Sequence, residues 1–210
     1  MSHQRIKRSL RCAGCGLPPA RCLCATLPRV RVDTPLVILQ HVRELQKPTN
    51  TGRLFARMVE NVAVLPWGMR EPAFDPGPLR DASIDWLLLY PRTGAPVLDA
   101  SWKEAQGRRR GFVLLDGSWG QCSHFRRRQP ELAALSCVTL PPGPPSFWTV
   151  RSQHLEEGMS TFDAALQVVE IFEGSGVTTP LRRAFAALTA QMLHLKGKLP
   201  SPEIPSHWQV

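Results

Sequence analysis

Four short apolar runs punctuate the chain: PLVILQ at 35–40, DWLLLY at 85–90, GFVLLD at 111–116 and SCVTL at 136–140. They are continuous rather than alternating, the pattern of strands covered on both faces of a sheet. Between and after them the spacing predicts helices starting near Thr51, near Leu98 and near Ser118, and two more over 161–173 and 180–195. That order predicts an α/β domain with a largely parallel sheet. From Gly197 onward the segment GKLPSPEIPSHWQV has three prolines and no periodicity, and is expected to be extended or mobile unless Trp208 docks. No internal repeat is visible.

In open α/β sheets ligands bind beyond the carboxyl ends of the strands. Three runs end there in polar or turn-forming residues: Leu39 to His41, Leu89 to Gly94, and Asp116-Gly117-Ser118-Trp119. Pro91, Gly94 and Gly117 permit tight turns, so a pocket is expected at this edge. On residue types alone, DGSW also reads as a strand end, a turn glycine, a serine cap and a core tryptophan.

Charge and cysteines sharpen this picture. The 26 basic residues outnumber the 17 acidic ones, giving +9 over 210 residues, which points to a polyanion such as nucleic acid. No apolar stretch reaches the ~18 residues of a membrane span, and the basic start MSHQRIKRSLR lacks a following apolar segment, so no membrane and a cytoplasmic setting are expected. In a reducing compartment six cysteines are read as metal chemistry or packing rather than as disulfides. Cys12, Cys15, Cys22 and Cys24, two thiolate pairs around a Gly/Pro-rich turn, have the spacing of a tetrahedral zinc site. Cys122 and Cys137 are isolated and are expected to be packed apolar groups.

The motifs CAGCGLPPARCLC, LQHVRELQKPTNTGRL, LLLYPR, LLDGSW and MSTFDAAL occur in that order, and together they resemble the DTW-domain family over roughly residues 10 to 195. The resemblance implies a SPOUT-like α/β fold with a C-terminal knot. The organisation is then a basic N-terminal zinc segment (1–32), a catalytic domain (33–196) and a Pro-rich tail (197–210). It also implies transfer of the 3-amino-3-carboxypropyl group of S-adenosylmethionine to a uridine base in tRNA, releasing methylthioadenosine.

Uracil's ring N–H is a poor nucleophile until deprotonated, so Asp116 is the expected general base, with Trp119 as an apolar wall. By resemblance Leu89, Tyr90, Pro91, Gly117, Ser118, Trp119, Ser160 and Thr161 meet the cofactor. Ser160 or Thr161 also reads as a helix cap, with Asp163 in the first turn, where the family more often has glutamate. Ser118 replaces the family's usual threonine and Val42 its usual proline. Arg53, at a helix start capped by Asn50 or Thr51, and the triplets Arg108, Arg109, Arg110 and Arg126, Arg127, Arg128 are expected to meet RNA phosphates. His41 reads as a buried, hydrogen-bonded histidine with Glu44 nearby. Two rival readings are a SPOUT-like RNA methyltransferase, which would leave S-adenosylhomocysteine, and a non-catalytic zinc-stabilised RNA-binding module.

Overall fold

The computed structural model describes residues 11–105, 107–143, 146–151 and 158–208. Its strands are β1 (Leu36–His41), β2 (Val62–Trp67), β3 (Ile84–Leu89), β4 (Glu104–Ala105), β5 (Arg108–Asp116) and β6 (Ser136–Val138). Five of them form a parallel sheet in the order β2-β1-β5-β3-β6, and β4 pairs antiparallel with β5. Every residue of β1 is buried because both faces are covered. Leu36 and Ile38 enter one core cluster while Val37 and Leu39 enter the other, the period-two alternation of a strand.

The helices are α1 (Val42–Leu45), α2 (Thr51–Met58), α3 (Trp119–Arg128), α4 (Pro130–Ala133), α5 (Thr161–Glu173) and α6 (Ser175–Leu195). Helices α2, α5 and α6 cover one sheet face. There Phe162 lies flat on Phe185 at 3.9 Å and edge-on to Phe55 at 5.3 Å. Burying such a ring stabilises the fold by about 1.5–3 kcal/mol, so this stack anchors the start of α5. Helices α3 and α4 cover the other face through Phe125, stacked on Trp67 at 4.0 Å, and through Leu132.

The four apolar runs became β1, β3, β5 and β6, but β2 was not anticipated. Its Pro66 cannot donate to a ladder, and the sheet tolerates it because β2 is an edge strand. The helix expected near Leu98 is not there. Leu98 instead donates its N–H to the Thr139 carbonyl at 2.8 Å, and Thr139 donates to Pro96 at 2.9 Å, so the segment runs extended into a short 3-10 turn at Ala100–Lys103. A local sequence window cannot see a partner supplied by the chain after β6. Helix α6 begins at Ser175 and carries Pro180 inside it, rather than starting at that proline.

Both ends of the described chain join the main body. Cys15 and Leu17 are fully buried in the same cluster as Phe55 and Phe162. Trp208 docks by stacking on Phe147 at 4.8 Å. Cys122 is buried and Cys137 partly so, as packed groups should be. No helix among the described residues is long and apolar enough to cross a membrane.

Candidate functional site

Asp116 ends β5, 5% exposed, where β1, α2 and α5 converge. Its carboxylate accepts from three side chains. Gln40 at the end of β1 donates to Oδ2 at 2.9 Å, Asn50 at the cap of α2 donates to Oδ2 at 2.6 Å, and Thr161 in the first turn of α5 donates to Oδ1 at 2.8 Å. Gln40 also donates to Asn50 Oδ1 at 2.6 Å, and that same oxygen caps α2 by accepting from the Arg53 N–H at 2.7 Å. Gly52 makes the approach possible: a Cβ there would lie 2.9 Å from Asp116 Oδ2. Buried polar groups left unpaired cost about 1–3 kcal/mol each, so the network fixes three elements against one another.

Beside it opens a cavity of about 610 Å³, within the usual range of ligand sites. It lies beyond the carboxyl ends of β3, β5 and β6, where the parallel topology predicts a site. Leu89, Tyr90, Pro91, Gly117, Trp119 and Thr161, six of the residues named from the sequence, line it together. Leu114, Leu115 and Leu140 supply apolar wall, and the loop after β6 (Thr139 to Gly143) closes one side. That Pro-rich loop was not singled out from the sequence, although the rule that sites follow strand ends applies to it equally.

Three expected site residues take other positions. Ser118 caps α3 in a capping box with Gln121: its hydroxyl accepts at 3.4 Å, and Gln121 Oε1 accepts from the Ser118 N–H at 2.8 Å. Ser160 caps α5 and donates to Asp163 at 2.6 Å. Asp116 does not itself line the cavity, and Thr161 is the member of its network that does. Cys122 also faces the cavity, but burial, reinforced by the Asp116 charge, pushes its thiol up to about 12, so it serves as wall rather than nucleophile.

A second hollow of about 350 Å³ adjoins the first through Ser146 and Met159 and is bordered by Asp163, Arg182, Phe147 and Trp208. Burial raises the Asp163 carboxyl, against the opposing hydrogen bonds from Ser146 and Ser160, each 2.6 Å. At the last position of β1, His41 is lowered by burial and by Arg43, and its Nδ1 accepts from the Arg43 N–H at 3.0 Å, the buried histidine expected. Burial would raise Glu44, but hydrogen bonds from Arg151 at 2.9 Å and Lys47 at 2.5 Å hold it below its ordinary value.

The arginines separate. Arg53 turns inward to the carbonyls of Lys47 and Pro48 at 3.2 and 3.4 Å. Arg126 lies over the Tyr90 ring at 5.1 Å, and Arg127 and Arg128 are exposed on the same helix. Arg108, Arg109 and Arg110 begin β5, whose length sets them roughly 20–26 Å from Asp116 at its other end. Of these, Arg109 donates to the Asp33 carbonyl and Arg110 pairs with Asp85 while covering Trp102.

The Sγ atoms of Cys12, Cys15, Cys22 and Cys24 all lie within 4.8 Å of one another, and no disulfide joins them. Four thiolates ~2.3 Å from zinc form a tetrahedron with edges of about 3.8 Å. The close pairs here measure 3.5, 3.6 and 3.7 Å, so the donor set fits that ion. Gly16 inside this turn has φ of 74° and seats the cluster on the loop before α2, where a Cβ would lie 2.0 Å from the Pro48 carbonyl oxygen.

Comparison with known proteins bears on this geometry. Residues 9–193 match the DTW domain family. The chain is also 29% identical over 174 residues to tRNA-uridine aminocarboxypropyltransferase 2 of Drosophila melanogaster, an alignment covering 79% of this chain and 68% of that protein. No solved structure matches it.

Proposed function

The chain belongs to the DTW-domain family, and on that premise we propose that it is a transferase that modifies tRNA, moving the 3-amino-3-carboxypropyl group of S-adenosylmethionine to a uridine base. The observation that carries the reading is the cavity beyond β3, β5 and β6 in which the Thr161 hydroxyl donates to the buried Asp116 carboxylate of the DGSW motif. When bound, the donor supplies an electrophilic methylene beside a sulfonium, with methylthioadenosine as leaving group. Leu89, Tyr90, Pro91 and Gly117 would hold it against the leucine wall.

In a uridine the only ring N–H is at N3, and removing that proton makes the nitrogen nucleophilic. Because Asp116 stands behind Thr161, it serves as base through that hydroxyl. The uracil proton passes to Thr161 Oγ1 as the hydroxyl's own proton passes to Asp116 Oδ1. The hydrogen bonds from Gln40 and Asn50 keep the carboxylate aimed at Thr161 throughout. Cys12, Cys15, Cys22 and Cys24 would hold one zinc in a structural role, because four thiolates would leave no open position for substrate. A SPOUT-type knot belongs to the same proposal. Exposed Arg127 and Arg128 serve the RNA near the cavity, while Arg108 and Arg109 would meet a more distant part of so large a substrate.

Incubation of purified protein with tRNA and S-adenosylmethionine, followed by mass spectrometry, tests the proposal. Methylthioadenosine and a uridine heavier by one aminocarboxypropyl group are expected in equal amounts. S-adenosylhomocysteine with a methylated base would make it a methyltransferase, and neither product would leave an RNA-binding module.

A further inference from the structure

Three of the six tryptophans, Trp67, Trp86 and Trp148, are 8% exposed or less, whereas Trp119 is 41% exposed at the rim of the cavity. A helix start that needed only a core residue would bury the indole. Trp119 meets Tyr90 edge-on at 6.3 Å, and Tyr90 in turn is covered by the Arg126 guanidinium at 5.1 Å. Arg126 makes no hydrogen bond or ion pair among the described residues, and its Nε is buried without a partner. Trp119 and Arg126 are seven positions apart on α3, so they share a helix face about 10 Å apart along the axis. The result is a ledge: an open indole, a phenol ring beside it, and an arginine at the far end with Arg127 and Arg128 following.

The occupant follows from shape and charge. A folded RNA cannot enter a cavity of about 610 Å³, so only one nucleotide turned out of its stack can reach Thr161. Such a base needs a π-face to replace the stacking it has lost, and its phosphate needs a cation one nucleotide's reach away. An acidic protein segment would account for the arginines but not for an indole left open beside a reactive cavity. The donor's adenine would not call for a cationic helix end.

We infer that the Tyr90–Trp119–Arg126 ledge is the nucleotide subsite, in which the extruded uridine stacks on Trp119 and its flanking phosphate meets Arg126. This rests on the transferase reading for the identity of the base, but not for the ledge itself. Binding measurements separate the two, since they need no turnover.

The protein with ¹⁵N-labelled tryptophan is titrated with a short single-stranded RNA containing uridine. The indole signal missing from Trp119→Phe is expected to shift strongly, and titration with S-adenosylmethionine alone is expected to move it little. Trp119→Ala should weaken RNA binding about 5- to 150-fold, the loss of one stacked base, while Trp119→Phe keeps most of the affinity. Arg126→Ala should lower the salt dependence of binding by about one ion. A Trp119 signal silent to RNA, or a Trp119→Ala protein that loses affinity for S-adenosylmethionine while keeping that for RNA, overturns the ledge. If wild-type protein binds uridine in this way yet forms no methylthioadenosine, the transferase reading fails and the ledge stands.

Discussion

Asp116 is bound by three buried donors, so substituting it tests folding and chemistry at once. Asparagine keeps one acceptor oxygen but turns an N–H₂ group toward donors, leaving at least one of Gln40, Asn50 and Thr161 unmatched. Asp116→Asn is therefore expected to lose about 1–3 kcal/mol of unfolding free energy, read by urea titration. Thr161 offers the cleaner test, because valine has nearly its shape without the hydroxyl. Thr161→Val should lower single-turnover transfer about 10²- to 10⁴-fold with little change in donor affinity, while Thr161→Ser retains most of the rate. A Thr161→Val protein that transfers at near the wild-type rate would remove the hydroxyl from the proton path and leave Asp116 as a brace alone.

At the scale of elements, α2 ties the cysteine turn to the carboxylate. Its cap, Asn50, binds Asp116, its Arg53 holds the carbonyls of Lys47 and Pro48, and the Pro48 carbonyl oxygen lies where Gly16 would carry a Cβ. An alanine at Gly16 would be strained at φ 74° and would also collide with that oxygen. Gly16→Ala should cost more than ~1 kcal/mol and loosen the Asn50 cap, seen as a lower melting temperature together with weaker transfer. Cys22→Ser removes one of the four thiolates, so elemental analysis should find the zinc content reduced, with increased proteolysis confined to the N-terminal turn.

Across the whole molecule, charge is arranged by position rather than by count. Replacing Arg126, Arg127 and Arg128 with alanine should flatten the salt dependence of RNA binding, whereas replacing Arg110 alone should show chiefly as lost stability, because it pairs with Asp85 and covers Trp102. The pH response has a named origin in Glu44, 2% exposed and held by Arg151 and Lys47. Its folded pKa lies below the ordinary 4.5, so its stabilisation is complete above about pH 4.5 and is lost as pH falls through the lower folded value. Glu44→Gln should therefore lower stability by about 1–2 kcal/mol at pH 7 and flatten the acid limb of a melting-temperature profile.

Strand order along the chain, the thiolate set and the helix caps were legible because each depends on neighbours a few positions away. An apolar run reports that both faces are covered, Cys-x-x-Cys brings two ligands to one turn, and Ser118 meets Gln121 three residues on. The edge strand β2 was hidden by its proline, and the false helix at Leu98 arose because its partner, Thr139, comes much later in the chain. The partners of Asp116 lie 76, 66 and 45 positions away, brought together only by parallel crossovers that place β1 and β3 on either side of β5. Two arginine triplets that flank the same motif in sequence are set apart in space, since Arg108 to Arg110 begin β5, whose eight residue steps span roughly 25 Å, and Arg126 to Arg128 end α3, the helix that follows it. Local chemistry determined which residues could act. The folded topology decided that Thr161 faces the cavity, that Asp116 stands behind it, and that Trp119 remains open to solvent.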